Sequence, residues 1–345
     1  MLRKLLLSLG LVLLLLVVSA GIYLSSGPEF PASTDAIIKQ HIAVEPPQLV
    51  LGQSGVVKSS GVDIWYERLE PSKAEFATAR GTVLLIMGAG ASSMLWTPDW
   101  LQAFTGKGYR VIRFDNRGTG MSDWMANWNS QQAYSLETMA KDALAVLDAN
   151  GVKQAHVLGV SMGGMIAQRL AIGHADRVLS LVSMSTSAYM FDPDMPEAGI
   201  GLGLQMLRLI VKYAMTGTET GMTKMWLGIV DLMRSDSLND EDVRSVTGLV
   251  TFEMRKRRGF NREAMPQHMA AMKLSGSRLD EMKKISCPVL VIHGTADTSV
   301  DIAHARKYAP LIPNARTLWL EGEGHLFSKS KKAEILQAVF GLIGG

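Results

Sequence analysis

Cysteine is nearly missing from this sequence. The chain of 345 residues has one, Cys287, which excludes an intrachain disulfide and a cysteine-built metal cluster. Beside Pro288 and the apolar run that follows, it reads as an inert buried thiol. No cysteine lies near the N-terminus, so lipid attachment to an N-terminal cysteine is also excluded. Charge is scarce as well. Only 19% of residues are Asp, Glu, Lys or Arg and the net charge is +3, with no basic stripe interleaved with aromatics; a nucleic-acid partner is not expected. The single basic run, Arg255-Lys256-Arg257-Arg258, reads as a solvated helix face. A His-Glu-x-x-His helix and a Walker-type phosphate loop are absent, and Met87–Ser93 (MGAGASS) does not complete a dinucleotide fingerprint. No metal or cofactor is expected.

Hydrophobic residues, by contrast, make up 47% of the chain, enough for one large α/β domain with an insertion or for two small domains. Arg3 and Lys4 precede an uncharged apolar run from Leu5 to Leu24, long enough to cross a bilayer as a helix. The basic flank favours a cytoplasmic N-terminus with the body outside, as a single-helix anchor. Val18-Ser19-Ala20 keeps a cleaved signal, and hence a secreted or periplasmic body, open. The expected organisation is an anchor or signal over 1–24, a tether over 25–52, a core over 53–186, a helical lid or cap over 187–276, and the rest of the core over 277–345.

Strand patterns fall at Val62–Leu69, Val83–Met87, Arg110–Asp115, Ala155–Val160, Val178–Met184, Pro288–His293 and Ala315–Leu320. Helical patterns alternate with them at Leu136–Asn150, Met162–His174, Ile302–Ala309 and Lys331–Ile343. The fold class is therefore α/β, a mostly parallel central sheet with helices on both faces. From Ser187 to Ser275 the alternation stops; helical periodicity recurs, and about half of the 21 methionines lie there. Methionine adapts to irregular apolar surfaces, which fits a core-packing insertion and equally a mobile lid over an apolar pocket.

In HVLGVSMGG, His156–Gly164, a lone serine stands between a strand and a helix. A turn that tight strains the Ser161 backbone and brings neighbouring chain so close that Gly159 and Gly163 are needed where a Cβ would collide. Together with HGTAD, ending at Asp297 after a strand, and EGEGH, ending at His325 after the last strand, this pattern resembles the α/β-hydrolase superfamily from about Val56 to the C-terminus, apart from the insertion. The resemblance implies a serine esterase or lipase-like enzyme with Ser161 as nucleophile, His325 as base and Asp297 as orienting acid. It implies an oxyanion hole from the backbone N–H groups of Met162 and Ala89. The chain departs from the family pattern at Met87-Gly88, where many relatives carry His-Gly, and at Val300, where a proline is common. Asp192 and Asp194 are rival acids, placed within the insertion. The other histidines, His41, His156, His174, His268, His293 and His304, read as structural. In DNRGTGMSD, Asp115 and Arg117 read as a structural ion pair.

The expected function is hydrolysis of carboxylic esters, with medium-chain acyl or lipid-like substrates and a membrane partner through the N-terminal segment. Acyl transfer, perhydrolysis or carbon–carbon bond hydrolysis on the same triad, or a non-catalytic receptor of the same fold, are the alternatives.

Overall fold

The computed structural model describes residues 27–344 apart from 73–77, 130–132 and 197–198, together with positions 21 and 23. Its apolar runs form an eight-stranded sheet: β1 (Gln53–Ser59), β2 (Val62–Leu69), β3 (Thr82–Ile86), β4 (Arg110–Phe114), β5 (Ala155–Val160), β6 (Val178–Met184), β7 (Val289–Gly294) and β8 (Arg316–Leu320). The spatial order is β1-β2-β4-β3-β5-β6-β7-β8. β1, β2 and β4 pair antiparallel, and every pairing from β4 to β8 is parallel. β3 and β7 are buried along their whole length, as an unbroken run such as TVLLI demands when both sheet faces are covered.

Alternate side chains of β3 serve opposite faces. Leu84 and Ile86 join a core with α3 (Leu136–Ala149), α4 (Met162–Gly173) and α9 (Ile302–Tyr308), whereas Val83 and Leu85 meet α2 (Pro98–Thr105) and α10 (Lys332–Ile343). Between β6 and β7 lie α5 (Ile200–Lys212), α6 (Glu219–Met233), α7 (Asp240–Lys256) and α8 (Ala264–Leu274), with no strand among the described residues.

Four local expectations differ from what is found. The stretch read as a tether carries α1 (Thr34–Ile42), whose Ile37 and Ile38 pack against Leu227 and Val243 of the insertion. Two neighbouring isoleucines give that helix an apolar edge that composition alone hides. β1 was not expected; it pairs with β2 through the two-residue turn Ser60-Gly61, both at positive φ (49° and 86°). The basic run is exposed at Arg255, Lys256 and Arg258, as a solvated face should be, but not at Arg257. Past the end of α7 the helical phase is lost, and Arg257, in an extended conformation, turns inward to a buried ion pair with Asp115. Arg255 meanwhile donates to the carbonyls of Ile42 and Val44 at 2.7 and 2.9 Å. Asp115 and Arg117 are each structural but do not pair with one another, because Arg117 is held bidentate by Asp142 at 2.6 and 2.7 Å.

Among the described residues no helix is long and apolar enough to cross a membrane. The run Leu5–Leu24 lies, except for Gly21 and Tyr23, outside the described residues.

Candidate active site

The sheet changes direction between β3 and β5: from β3 the chain moves to β4 on one side, then returns to β5 on the other. The crevice beyond the carboxyl ends of such a pair is where doubly wound sheets place ligands. Ser161 follows β5 there, and the loop Met87–Ser93 follows β3. A surface depression of about 560 Å³ lined by Asp148, Gly151, Lys153 and Arg177 lies at the opposite, N-terminal edge of β5 and β6, away from this chemistry.

Ser161 has φ 55° and ψ −124°, a conformation that costs a non-glycine residue about 1–3 kcal/mol and survives only where the surroundings enforce it. Its N–H donates to Met184 O at 2.9 Å, and its carbonyl accepts from Thr186 Oγ1 at 2.7 Å. The glycines on either side have no room for a side chain. A Cβ at Gly159 would come within 2.2 Å of Gly163 O, and one at Gly163 within 2.3 Å of Ile86 O. The Met87–Ser93 loop presses on the serine from the β3 side: a Cβ at Gly88 would stand 3.2 Å from Ser161 Cβ and 3.8 Å from its Oγ.

Asp297 and His325 are brought together from loops after β7 and β8. His325 Nδ1 donates to Asp297 Oδ2 at 2.7 Å, since an ionised carboxylate can only accept. The other carboxylate oxygen, Oδ1, accepts the N–H groups of Ser299 and Val300 at 2.8 and 2.9 Å, and His293 Nε2 stands 3.3 Å from Oδ2. Burial alone would raise the Asp297 pKa. The charge of His325 and the hydrogen bonds from His293, His325 and the Val300 N–H outweigh it and hold the carboxyl far below the usual range. The two loops are laced together: Ala296 N–H donates to Glu323 O at 2.9 Å, and Gly294 sits so close that a Cβ would meet the same carbonyl at 2.2 Å. Ser185 Oγ, one residue beyond the Met184 carbonyl that holds the serine, donates to His325 O at 3.0 Å. The serine turn and the histidine loop thus share one anchorage at the end of β6.

The insertion reaches both flanks of the site. Met233 O, at the end of α6, accepts the Leu326 N–H at 2.9 Å beside the histidine. On the other flank, His268 of α8 accepts the Gly90 N–H on Nδ1 at 2.9 Å.

A family model described as alpha/beta hydrolase fold matches residues 81–212. The rhodomycin D methylesterase of Streptomyces sp. (strain C5) is 30% identical over 292 residues, which span 78% of this chain and 91% of that one. The chain belongs to the α/β-hydrolase fold family. As an α/β-hydrolase it also matches a solved hydrolase from Pseudomonas aeruginosa PA01, with TM-score 0.63, 25% identity, and 85% of this chain and 99% of that one covered. A solved membrane phospholipase A shares the fold at TM-score 0.62 and 22% identity, covering 98% of each chain.

In this α/β-hydrolase the rival acids stand elsewhere: Asp192 pairs with Lys307 at 2.6 Å. Asp194 approaches the same lysine at 3.8 Å. Cys287 is partly buried, and burial pushes its thiol up to about 11, far from a reactive thiolate. The residues that the sequence did not single out are Gly90 and His268. They lie 178 positions apart, and nothing local in either stretch announces the contact.

Proposed function

We propose that this protein is a serine hydrolase of carboxylic esters. Ser161 Oγ attacks the ester carbonyl while His325 Nε2, unprotonated because Nδ1 carries the proton toward Asp297, takes the hydroxyl proton. The tetrahedral oxyanion is met by the backbone N–H groups of Ala89 and Met162, which have no hydrogen-bond partner among the described residues. His325 then returns its proton to the leaving alcohol, leaving an acyl-enzyme. Water enters, His325 takes its proton, and the acid departs from Ser161.

The observation that carries this reading is the 2.7 Å Asp297–His325 contact, anchored one residue from the carbonyl that holds the strained Ser161 turn. The methylesterase relative supports ester chemistry. The test is labelling by a fluorophosphonate probe and hydrolysis of p-nitrophenyl esters of graded chain length. Wild type should do both, and Ser161→Ala should lose labelling entirely, with turnover down by more than about 10⁴. Wild type that neither labels nor hydrolyses overturns the assignment. Asp297 stays ionised well below pH 5 because its pKa is lowered. Loss of rate on acidification is therefore not owed to Asp297, and a flat profile from about pH 5 to about 9 contradicts a histidine base.

The substrates are acyl esters with a medium hydrocarbon portion, selected by the methionine-rich insertion acting as a lid. Met206→Ala and Trp226→Ala should each shift the chain-length optimum; unchanged preference in both favours plain core packing. The Leu5–Leu24 run places the body outside the cytoplasmic membrane, as an anchor. Supporting this, the Arg208 guanidinium of α5 lies 5.2 Å over the ring of Tyr23, at the end of that run, and α5 exposes Leu204, Leu207 and Ile210 nearby in sequence. Recovery of the full-length protein in the soluble fraction would exclude the anchor.

A further inference from the structure

We propose that His268, from helix α8 of the insertion, is the positioning residue of the oxyanion loop: it pins the peptide plane on the far side of Ala89, so that the insertion and not the sheet alone aims the Ala89 N–H. This rests on the ester-hydrolase reading above.

The loop from Met87 to Ser93 is tied at three points. Met87 O accepts from Asn116 Nδ2 at 2.9 Å. Ser93 donates from both N and Oγ to Asp115 Oδ1, at 2.9 and 2.8 Å. Between these anchors, Gly90 at φ +70° would be free to swing about its own dihedrals, and its N–H is held by His268 Nδ1 at 2.9 Å. Ala89 therefore lies between two fixed peptides, with its own N–H unengaged among the described residues. Met265, one turn earlier on α8, closes the space over Gly90: a Cβ there would meet its Cε at 3.0 Å.

His268 can fill this role because its tautomer is dictated. Nε2 faces the Arg117 carbonyl at 2.8 Å and must donate, which leaves Nδ1 as an acceptor. The carbonyl is itself fixed, since the Arg117 guanidinium is clamped by Asp142 and lies 5.1 Å over the Tyr134 ring. His268 is fully buried, with the Tyr134 ring edge-on at 6.4 Å. Burial, with a smaller contribution from the like charge of Arg117, pulls its pKa down to about 4, so the imidazole is neutral wherever an esterase works. A neutral, doubly bonded imidazole transmits the position of α8 and of the Arg117 loop to one glycine.

Three substitutions in the full-length chain separate positioning from packing. His268→Gln offers an acceptor and a donor at nearly the imidazole spacing, His268→Asn keeps the acceptor at the Nδ1 position only, and His268→Leu keeps bulk and neither. On a p-nitrophenyl ester, His268→Leu should lower kcat by about tenfold or more with KM within about threefold, a fraction of the 10²–10³ lost when a donor is removed outright. His268→Asn and His268→Gln should hold kcat within about threefold of wild type. Inhibition by a trifluoromethyl ketone, whose adduct oxyanion occupies the hole, should weaken in step with kcat/KM, a response that a packing defect would not produce. Melting temperature is read in parallel. If His268→Leu fails to fold, His268→Asn decides, because it loses the Arg117 bond and keeps the Gly90 bond. The proposal is overturned if His268→Leu keeps its kcat and inhibitor affinity, or if His268→Asn is slowed tenfold. An inactive, unlabelled wild type overturns both this inference and the function it rests on, whereas an active wild type with an unaffected His268→Leu overturns this inference alone.

Discussion

α7 and α8 meet the sheet through buried polar groups. Arg257, at the end of α7, reaches Asp115 beyond β4 and also Glu253 at 2.9 Å, over the face of Trp65, while His268 of α8 bridges two loops. α5, in the same insertion, is held differently. It turns Leu204, Leu207, Ile210 and Val211 to solvent and buries Leu209 against α6, where Gly228 leaves the space: a Cβ there would meet Leu209 Cδ2 at 2.4 Å. The contrast is between directional bonds that tolerate one geometry and apolar contact that tolerates many. The loop beside Ser161 is supported by the first kind, and the exposed face of α5 is carried by the second.

Removing a charged partner tests the first half most severely. Arg257→Ala leaves Asp115 and Glu253 buried without their cation. Burial already raises the Glu253 carboxyl, with Arg257 opposing it and Asp115 adding to it. The expected loss is about 3–5 kcal/mol in urea unfolding; a loss under about 1 kcal/mol would mean that this half is no better secured than α5. The next effect is acid-dependent. The His268 pKa is lowered in the fold, so its contribution is fully present above the unfolded value and is lost as pH falls toward about 4. From an unfolded value of about 6.5 this amounts to about 3 kcal/mol, and comparison of unfolding free energy between pH 7 and 4 for wild type and His268→Gln should show the slope reduced in the variant. In the second half, Leu209→Ala should cost about 2–3 kcal/mol. Read by hydrogen exchange, the loss should fall on α5 amides and leave α7 protected; equal loss in both would erase the distinction. The smallest effect is expected of Leu207→Ser, within about 0.5 kcal/mol, since its side chain is about half exposed.

Much of the frame is legible in the chain itself. The runs Ala155–Val160 and Val178–Met184 are strands over those very residues, because a strand covered on both faces is mostly apolar and says so locally, even with His156 in one and Ser180 and Ser183 in the other. β1 escaped notice since an edge strand with one paired side tolerates Gln53, Ser54, Gly55 and Lys58; its available signal was the Ser60-Gly61 turn. α1 was hidden by the Pro- and Ser-rich flanks around Ile37 and Ile38. At the site, the order of Ser161, Asp297 and His325 is a property of the sequence. The partners of Arg257, Arg117 and His268 are not.

Seven of the eight strands, the turn that strains Ser161 and the glycines that make it possible are written in the chain alone, since period, β-branching and missing Cβ atoms act over a few residues. The tertiary structure decided which buried charge meets which, that Asp297 finds His325 and His293 together, and that an insertion helix holds the loop beside the serine. Those are contacts between groups far apart in the chain, and a side chain has no way to express its partner until both elements are packed.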